Sequence, residues 1–574
     1  MNQKIKKNGW MYAGILLTWV ICLVHFNPKL FTILSATESF ITKTFFIIFI
    51  FFLNLFWLYG IFHCFFLIHR IFSKNQITPE KSAYFPHVSI LYTTRNDFQE
   101  KAVLSCLKQA YPNFHVYILD DSTDNANKAV IDQFHYFHPE KTTIIRRQDR
   151  RGFKAGNLNN ALRHHITDHK YFAVIDADEV IPPDFLQKLI PYFSLDDRIA
   201  FVQANHGQNP HQPSKFAQDL AMGINFHWDI YQQPRNNCGF VIFYGHGAII
   251  RRDVWEKAGG FPEIVSEDLA FSTRIRQLGY RGHFVKEVNC YEDFPETYHQ
   301  FRKRHEKWVK GACEYLHCEF LPFLFSKNIT WPEKFDVLFS SFSLFIPALF
   351  LIYIFVANMI LPMLLAEKHT ISFSLFSYRF ELMSGFFMEP YFKNIWTFDF
   401  YVITLIGMFA PIFCYLGKLF SHPRQILKLL FKSAVPYISL ILVSTCGIMT
   451  YLFTKKAVFS ATGDKTTIES LSNAKGKSAF WNRLHANHSL IFHLEWLLGL
   501  VLVLFSIKTM NFALLTIASC LIISPLIARY GWENRVISSL VSLPLFFVLL
   551  AFGGIGTGFL GIQGFSLCFL SLHF

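Results

Sequence analysis

Charge is scarce in this 574-residue chain, and its cysteines lack any pattern that would put them to use. Only 17% of residues are Asp, Glu, Lys or Arg, against 52% hydrophobic, and Phe alone numbers 66, which is not the composition of a soluble protein. The eleven cysteines include no CxxC pair and none of the His/Cys spacings used by zinc sites, so reduced thiols are expected. Internal repeats and low-complexity linkers are absent. The first apolar run, Gly9 to Phe26, follows Lys4, Lys6 and Lys7, but no small-x-small cleavage site comes soon after it. A retained membrane helix is therefore expected, not a signal peptide.

Acids are also scarce outside the middle of the chain. The formal charge is +13, yet the stretch from Arg70 to Lys334 holds 33 basic and 31 acidic residues. The remainder carries 54 − 33 = 21 basic against 41 − 31 = 10 acidic residues. This excess flanks apolar runs, as the positive-inside rule expects, and no nucleic-acid partner is expected.

Several apolar runs exceed the ~18 residues needed to cross a bilayer. The first run and the second, Phe45 to Ile68, form an antiparallel pair that returns the chain to the basic side at Arg70. From about Ser82 to Pro332 the pattern is α/β. Strands are expected at His87 to Tyr92, Phe114 to Leu119, Tyr171 to Ile175 and Ile199 to Gln203, with a helix from Asp97 to Gln109. These strand runs are nearly all apolar, as in a parallel sheet covered on both faces. Apolar runs resume at Phe335 to Met363 and Phe400 to Phe420. The run Ile426 to Phe453 is followed by Lys455, Lys456, Lys465, Lys475 and Lys477, so it is expected to lie in the interface or re-enter. Leu490 to Ile507, Met510 to Ile527, Val536 to Phe552 and Phe559 to Leu572 complete about eight spans. The expected divisions are a membrane hairpin (1–70), a cytoplasmic α/β domain (71–313), an interfacial amphipathic stretch (314–334), a membrane pair (335–424), an interfacial segment with a loop (425–488) and terminal membrane helices (489–574). Glu495 and His493 could line a path through the spans, but a solvated position near a helix end is expected.

Four segments of the α/β domain end in acid or amide. Thr94-Arg95-Asn96-Asp97 closes the first strand and Asp120-Asp121-Ser122 the second. Asp176-Ala177-Asp178 closes a third, and Ser266-Glu267-Asp268 opens a helix. In an open α/β sheet, ligands bind beyond the carboxyl ends of the strands. Hard oxygen ligands there suit Mg²⁺ or Mn²⁺ together with a diphosphate. The plainer readings are an Asx-turn at Asp120, solvated acids after the third strand, and acids in a helix's first turn at Glu267 and Asp268.

The order of these acids resembles that of the family-2 glycosyltransferases. The likeness is to their membrane-embedded cellulose-synthase-like branch, and it extends over nearly the whole chain. It implies a GT-A, Rossmann-like mixed sheet inserted in a polytopic helical membrane domain of the cell membrane, with the catalytic domain cytoplasmic. The implied activity is inverting, Mg²⁺- or Mn²⁺-dependent hexosyl transfer from a nucleotide sugar, expected to be a UDP-sugar. The product would be a β-linked polysaccharide passed through the membrane domain. The rival reactions are single-sugar transfer to a lipid or lipid-phosphate acceptor, and a non-catalytic membrane scaffold. Partner subunits and oligomeric state are left open.

The resemblance also assigns roles. Donor binding falls to Thr94, Asn96, Asp120, Asp121, Lys154, Asp176, Arg304 and Lys307, and metal binding to Asp178 with Asp176. Asp268 is the implied general base. Phe243, Tyr244, Gly245, His246, Glu267 and Trp308 are the implied acceptor site. The chain departs from the family pattern at His246, where Thr or Asn is usual. It departs again at Arg304-His305-Glu306-Lys307-Trp308, which stands for Gln-x-x-Arg-Trp. Phe459 to Lys465 resembles a gating loop, with Thr462 and Lys465 reaching the diphosphate.

Overall fold

The computed structural model describes residues 9–72, 78–80, 85–167, 169–365, 367–375, 378–387, 397, 399–400, 402–403, 422–457, 488–509 and 512–547. Two long apolar helices, α1 (Trp10–Ala36) and α2 (Phe40–Phe72), pack against each other ahead of an α/β unit. That unit runs β1 (Val88–Thr94), α3 (Glu100–Leu107), β2 (Phe114–Asp120), α4 (Asn125–Phe137), β3 (Thr142–Arg146), α5 (Phe153–His164) and β4 (Tyr171–Asp176). It continues through β5 (Ile199–Gln208), β6 (Ala248–Arg251), α6 (Glu267–Gln277), β7 (Arg281–Glu292) and α7 (Tyr298–Cys318).

The seven strands form one mixed sheet in the order β3-β2-β1-β4-β6-β5-β7, a GT-A-like arrangement. Strands β1 to β4 are parallel, β6 runs antiparallel to both its neighbours, and β5 pairs in parallel with β7. The apolar runs alone suggested an all-parallel sheet. The reversal at β6, only four residues long, sets Ala248 opposite Val174, so the loop before β6 reaches the rim where β4 ends. Thr94 is in register with Asp120, Asp120 with Arg146, and Thr93 with Asp176, which gathers four strand ends on one edge.

The strands read as continuous apolar runs because both faces of the sheet are covered. Ile90, Tyr92, Val116 and Ile118 pack on Val103 and Cys106 of α3 and Ile131 of α4. Leu91, Leu119, Phe172 and Val174 pack on the opposite face with Leu158 and Leu162 of α5, Trp255 and Phe271. Each such side chain contributes about 1.5–3 kcal/mol by leaving water.

Beyond α7, the stretch from Tyr315 to Trp331 exposes Leu321, Phe325 and Trp331 while burying Tyr315, Phe323 and Ile329, the two-faced pattern of a surface-lying segment. Then follow α8 (Trp331–Ser343), α9 (Ile346–Leu365), a two-stranded antiparallel hairpin (Glu367–Leu375 with Tyr378–Phe387), α10 (Pro423–Ile438), α11 (Leu440–Thr454), α12 (His488–Thr509) and α13 (Phe512–Tyr530). Among the described residues five helical stretches are long and apolar enough to cross a membrane: α1, α2, α9, the joined α10 and α11, and α12. The expected runs Phe400 to Phe420 and Phe559 to Leu572 lie almost wholly or wholly outside the described residues. The segment read from sequence as interfacial is two helices meeting at Ser439, with α11 packed along α7. His305 Nε2 lies 2.8 Å from Ser444 Oγ, and Val309 closes on Gly447.

Glu495 corrects an expectation: it is fully buried, not solvated, whereas His493 is exposed. Arg302 Nη2 donates to Glu495 Oε1 at 2.6 Å, and Ser524 Oγ–H donates to Glu495 Oε2 at 2.6 Å. Tyr298 O–H reaches Ser439 Oγ at 2.6 Å. A carboxylate within an apolar helix is sustained by facing such partners, and this network ties α7 to α10, α12 and α13. Removing one partner leaves an uncompensated buried charge, which costs about 3–5 kcal/mol, whereas replacing both by apolar groups of similar volume is close to neutral. Arg302→Met is therefore expected to lower the thermal unfolding midpoint of the detergent-solubilised protein sharply, and Arg302→Met/Glu495→Leu to recover most of the loss. Equal loss in the single and double variants would contradict the pairing argument.

Candidate functional site at the sheet rim

Four separate chain segments converge beyond the end of β4. The backbone turns directly after the strand, with Glu179 N–H donating to Asp176 O at 3.1 Å. A bridge between Val180 and Tyr291 then draws Glu292, the last residue of β7, to the same place. Helix α5 is entered through two left-handed residues, Gly152 (φ 72°) and Phe153 (φ 51°). The left-handed backbone at Gly152 favours glycine, and a Cβ there would also have to push the Glu263 side chain aside, 2.6 Å away. This entry delivers Lys154, whose ammonium contacts Asp176 Oδ1 and donates to Gly245 O at 3.0 Å. Gly245, in left-handed conformation (φ 87°), lies between this lysine and α6: the point where a Cβ would sit is 3.8 Å from Lys154 Nζ and 3.9 Å from both Glu267 Oε1 and Asp268 Cβ.

The electrostatics separate these acids. Burial pushes Asp176 up, but Lys154, His246 and the Thr93 hydroxyl outweigh it and hold the carboxyl well below the ordinary range. Asp178 is raised to about 7 by burial, then by Glu292 and Asp176, and among the described residues no cation forms an ion pair with it. Asp178, with Asp176 beside it, offers the hard oxygen donors that a Mg²⁺ or Mn²⁺ ion would take. Burial raises both Glu267 and Asp268, and Asp268 raises Glu267 further. Burial lowers the Lys307 ammonium, against the attraction of Glu267 and Asp176. For His246 burial acts downward, but Glu179, Asp176 and Glu292 raise the imidazole to about 10.

Lys154, Asp176, Asp178, Gly245, His246, Glu267, Asp268 and Lys307 thus share one neighbourhood. Other residues singled out in the sequence lie differently. Asp120 is fully covered, accepting from Ser122 N–H at 2.8 Å, in the Asx-turn, and from Arg146 Nε at 2.6 Å. Asp121 accepts from Arg147 Nε at 2.9 Å and Nη2 at 2.7 Å. Asn96, in left-handed conformation (φ 61°), ties the first two strand ends together by accepting from Thr123 and Asp124 N–H. Thr94 O–H donates to Asp97. Phe243 is a correction: it is completely buried among Phe201, Phe261 and Phe271, part of the core and not a wall of any slot. Tyr244, half-buried, stacks edge-on against Trp228 instead. Trp308 is 45% exposed, with the Arg304 guanidinium 4.8 Å from its ring centre. Thr462 and Lys465 lie outside the described residues.

Five residues of the neighbourhood had not been singled out for roles: Arg146, Arg147, Glu179, His206 and Glu292. The signals were present in part. An arginine pair closes β3 directly beside the acid pair closing β2, and His206 and Glu292 are polar intrusions at the ends of apolar strands. Glu179, His206 and His246 also form a group of side chains that could hold a metal ion.

Residues 171–368 match the family described as "Glycosyl transferase family group 2". Among curated relatives, the chain is similar to a probable glucomannan 4-beta-mannosyltransferase of Arabidopsis thaliana, at 28% identity over 262 residues, 44% of this chain and 49% of the relative. It is also similar to glucomannan 4-beta-mannosyltransferase 1 of Oryza sativa subsp. japonica, at 27% identity over 233 residues, 40% and 45% of the two chains. The chain spans about half the length of the curated relatives it matches. Among solved structures, it is similar to the mannosyltransferase PcManGT of Pyrobaculum calidifontis in complex with GDP-Man and Mn²⁺, with a TM-score of 0.45, 16% identity and coverage of 71% of this chain and 99% of that one. The family match and the curated relatives, taken with the order of strands in the sheet, support one assignment: a family 2 glycosyltransferase of the cellulose-synthase-like branch.

Proposed function

We propose that this protein is an inverting hexosyltransferase that uses a UDP- or GDP-sugar to extend a β-linked polysaccharide, with a mannan-like backbone as the leading product class. The observation that carries the reading is the meeting of Asp176, Asp178 and Lys154 with Glu267 and Asp268 across Gly245, an acidic pair facing a diphosphate-type site. The curated relatives' β-mannosyl transfer supports the product class.

In this reading Asp178 and Asp176 hold a divalent ion, which would supply charge stabilisation to the departing diphosphate. Lys154, pinned between Asp176 and Gly245 O, is a point charge within reach of the same phosphates. Lys307, near Glu267 and Asp176, adds a second. Asp268 removes the acceptor hydroxyl's proton as that oxygen attacks the anomeric carbon from the face opposite the diphosphate. Burial keeps both carboxyls of the pair above their ordinary values, so one of them gains a proton more readily than a solvated acid would. Arg146 and Arg147 neutralise Asp120 and Asp121 and hold the strand ends that would face the nucleoside. The α/β unit faces the cytoplasm by the distribution of Lys and Arg, and the product leaves through the adjoining apolar helices.

Asp268→Asn is expected to reduce turnover by about 10²–10⁴-fold while leaving donor binding intact, as loss of a general base does. Asp178→Asn is expected to abolish metal-stimulated release of the nucleoside diphosphate from a nucleotide sugar. Retained turnover in either variant would remove that residue from its role.

The pH dependence has a definite sign. The base works deprotonated and burial raises its folded-state value, so kcat/KM should fall by about tenfold per unit as pH drops below a point above the ordinary aspartate value. Glu267→Gln removes a neighbouring negative charge and should move that limb to lower pH. A limb that stays put would show that the two carboxyls are not coupled in the working enzyme. Incubating membranes with labelled UDP- and GDP-hexoses tests the product: polymer insoluble in organic solvent is expected, and label extracted as lipid would overturn the polysaccharide reading.

A further inference from the structure

Glu179, His206 and His246 come from three elements: the turn after β4, strand β5, and the loop before β6. None is required by the transfer chemistry set out above. We propose that these three side chains form a second metal centre, built for a borderline divalent ion of the zinc class and distinct from the hard-ion site at Asp178. The inference does not depend on which sugar is transferred, or on whether transfer occurs.

The geometry converges on a gap. One ligand atom from each residue lies within 4.8 Å of those from the other two. Gly247, held in left-handed conformation (φ 62°), lets them close in on the backbone. The point where a Cβ would sit is 2.4 Å from His206 Nε2 and 2.6 Å from Glu179 Oε1, so a side chain there would push these two ligand atoms aside.

The donors are dry and incompletely satisfied. Glu179 is 0% exposed and its Oε1 has no hydrogen-bond partner. His246 Nδ1 lies 3.1 Å from Glu179 Oε2 in an ion pair, so an ion bound here would displace the imidazole's proton. A buried polar atom left unpaired costs about 1–3 kcal/mol, and more when charged, so Glu179 Oε1 needs a partner that a cation would supply. His206 is 2% exposed and is stacked flat on Trp228 with ring centres 4.7 Å apart, which fixes its ring; its Nε2 accepts from the Gln203 amide at 2.9 Å, a bond that an ion would replace.

The surroundings are those of a ligated imidazole. His246 Nε2 faces Glu292 Oε2 at 3.5 Å and Asp176 Oδ2 at 4.0 Å. A carboxylate behind a metal-bound histidine orients the ring and raises its basicity. Three carboxylates around one histidine also make a field that attracts a dication more strongly than a single proton. Two imidazoles with one carboxylate suit zinc or cobalt far better than magnesium, which takes oxygen ligands. An ion here would pin the loop that carries Gly245: Gly247 N–H already donates to Val174 O at 2.8 Å, and its carbonyl accepts from Ala204 N–H at 2.9 Å.

The test uses the full chain, purified in detergent without chelator and dialysed against millimolar Mg²⁺. Elemental analysis is expected to find about one zinc or added cobalt ion per chain, and Co²⁺ to give a d–d absorption band. His206→Gln and His246→Gln should lose the ion, Asp178→Asn should keep it, and Glu292→Gln should weaken it by about 10–100-fold, the usual effect of removing an outer-shell partner. Should the histidine variants fail to fold, X-ray absorption of the wild-type cobalt form decides, with scattering from two imidazoles expected. No retained ion in the wild type, an oxygen-only ligand shell, or loss in Asp178→Asn as complete as in His246→Gln would overturn the proposal. Each of these readouts is a binding measurement, so an inactive transferase leaves it intact, and a missing ion leaves the transfer reading intact.

Discussion

Negative charge crowded at one sheet edge is the constraint that governs this protein. Asp176, Asp178, Glu179, Glu292, Glu267 and Asp268 all come to the rim beside β4, where water is largely excluded. Against them stand Lys154, Lys307, His246 and Arg304. Charges of one sign in a dry space must be paired, protonated or met by ions. Asp176 is paired, with Lys154 against one oxygen and the Thr93 hydroxyl 3.1 Å from it. Among the described residues Asp178 forms no ion pair, and burial first, then Glu292 and Asp176, raises its hold on a proton. The imbalance is costly to the empty fold and useful to a binding site, because a divalent ion or a cationic transition state relieves what the protein alone leaves strained.

Much of this edge was legible in the chain. Apolar runs ending in acid place carboxylates at the ends of parallel strands, and Thr93 beside Asp176 and Thr94 beside Asp120 are the register that such runs imply. What was not legible depends on contacts between distant segments. β6 has only four residues, too few for periodicity to declare its direction, yet its reversal is what brings Gly245, His246 and Gly247 to the rim. The pairing of Asp120 and Asp121 with Arg146 and Arg147 needs β2 and β3 to be neighbours. Phe243 looked like part of a sugar slot because aromatic residues serve both cores and binding sites, and only its packing against Phe201 and Phe261 separates the two. Glu495 looked solvated for want of a visible partner, and that partner, Arg302, lies 193 positions away.

Helix α7 turns the rim and the apolar helices into one object. Its residues divide by helical period. Arg302, His305 and Val309 face outward from the α/β unit, toward Glu495, Ser444 and Gly447 of the apolar helices. Arg304, Lys307 and Trp308 lie on a different side, with Arg304 near Glu292 and Asp178 and Lys307 near Glu267. A rotation of α7 that broke the buried Arg302 pair would also swing these cations relative to the acids. The two faces are therefore linked through a single helical element.

The same helix explains how the departures from the family pattern can be tolerated. Where an arginine is usual the chain has Lys307, which offers a compact point charge without the planar fork that grips phosphate in two places. Burial lowers its hold on the proton, and Glu267 and Asp176 oppose that loss. Arg304, by contrast, supplies a guanidinium one turn earlier, stacked on Trp308 and attracted to Glu292. The pattern Gln-x-x-Arg-Trp carries one positive charge and this helix carries two: the delocalised group sits nearer Asp178 and Glu292, the point charge nearer Glu267 and Asp176. The departures place the bidentate donor one turn earlier, toward Glu292 and Asp178, and add one positive charge to an acidic rim.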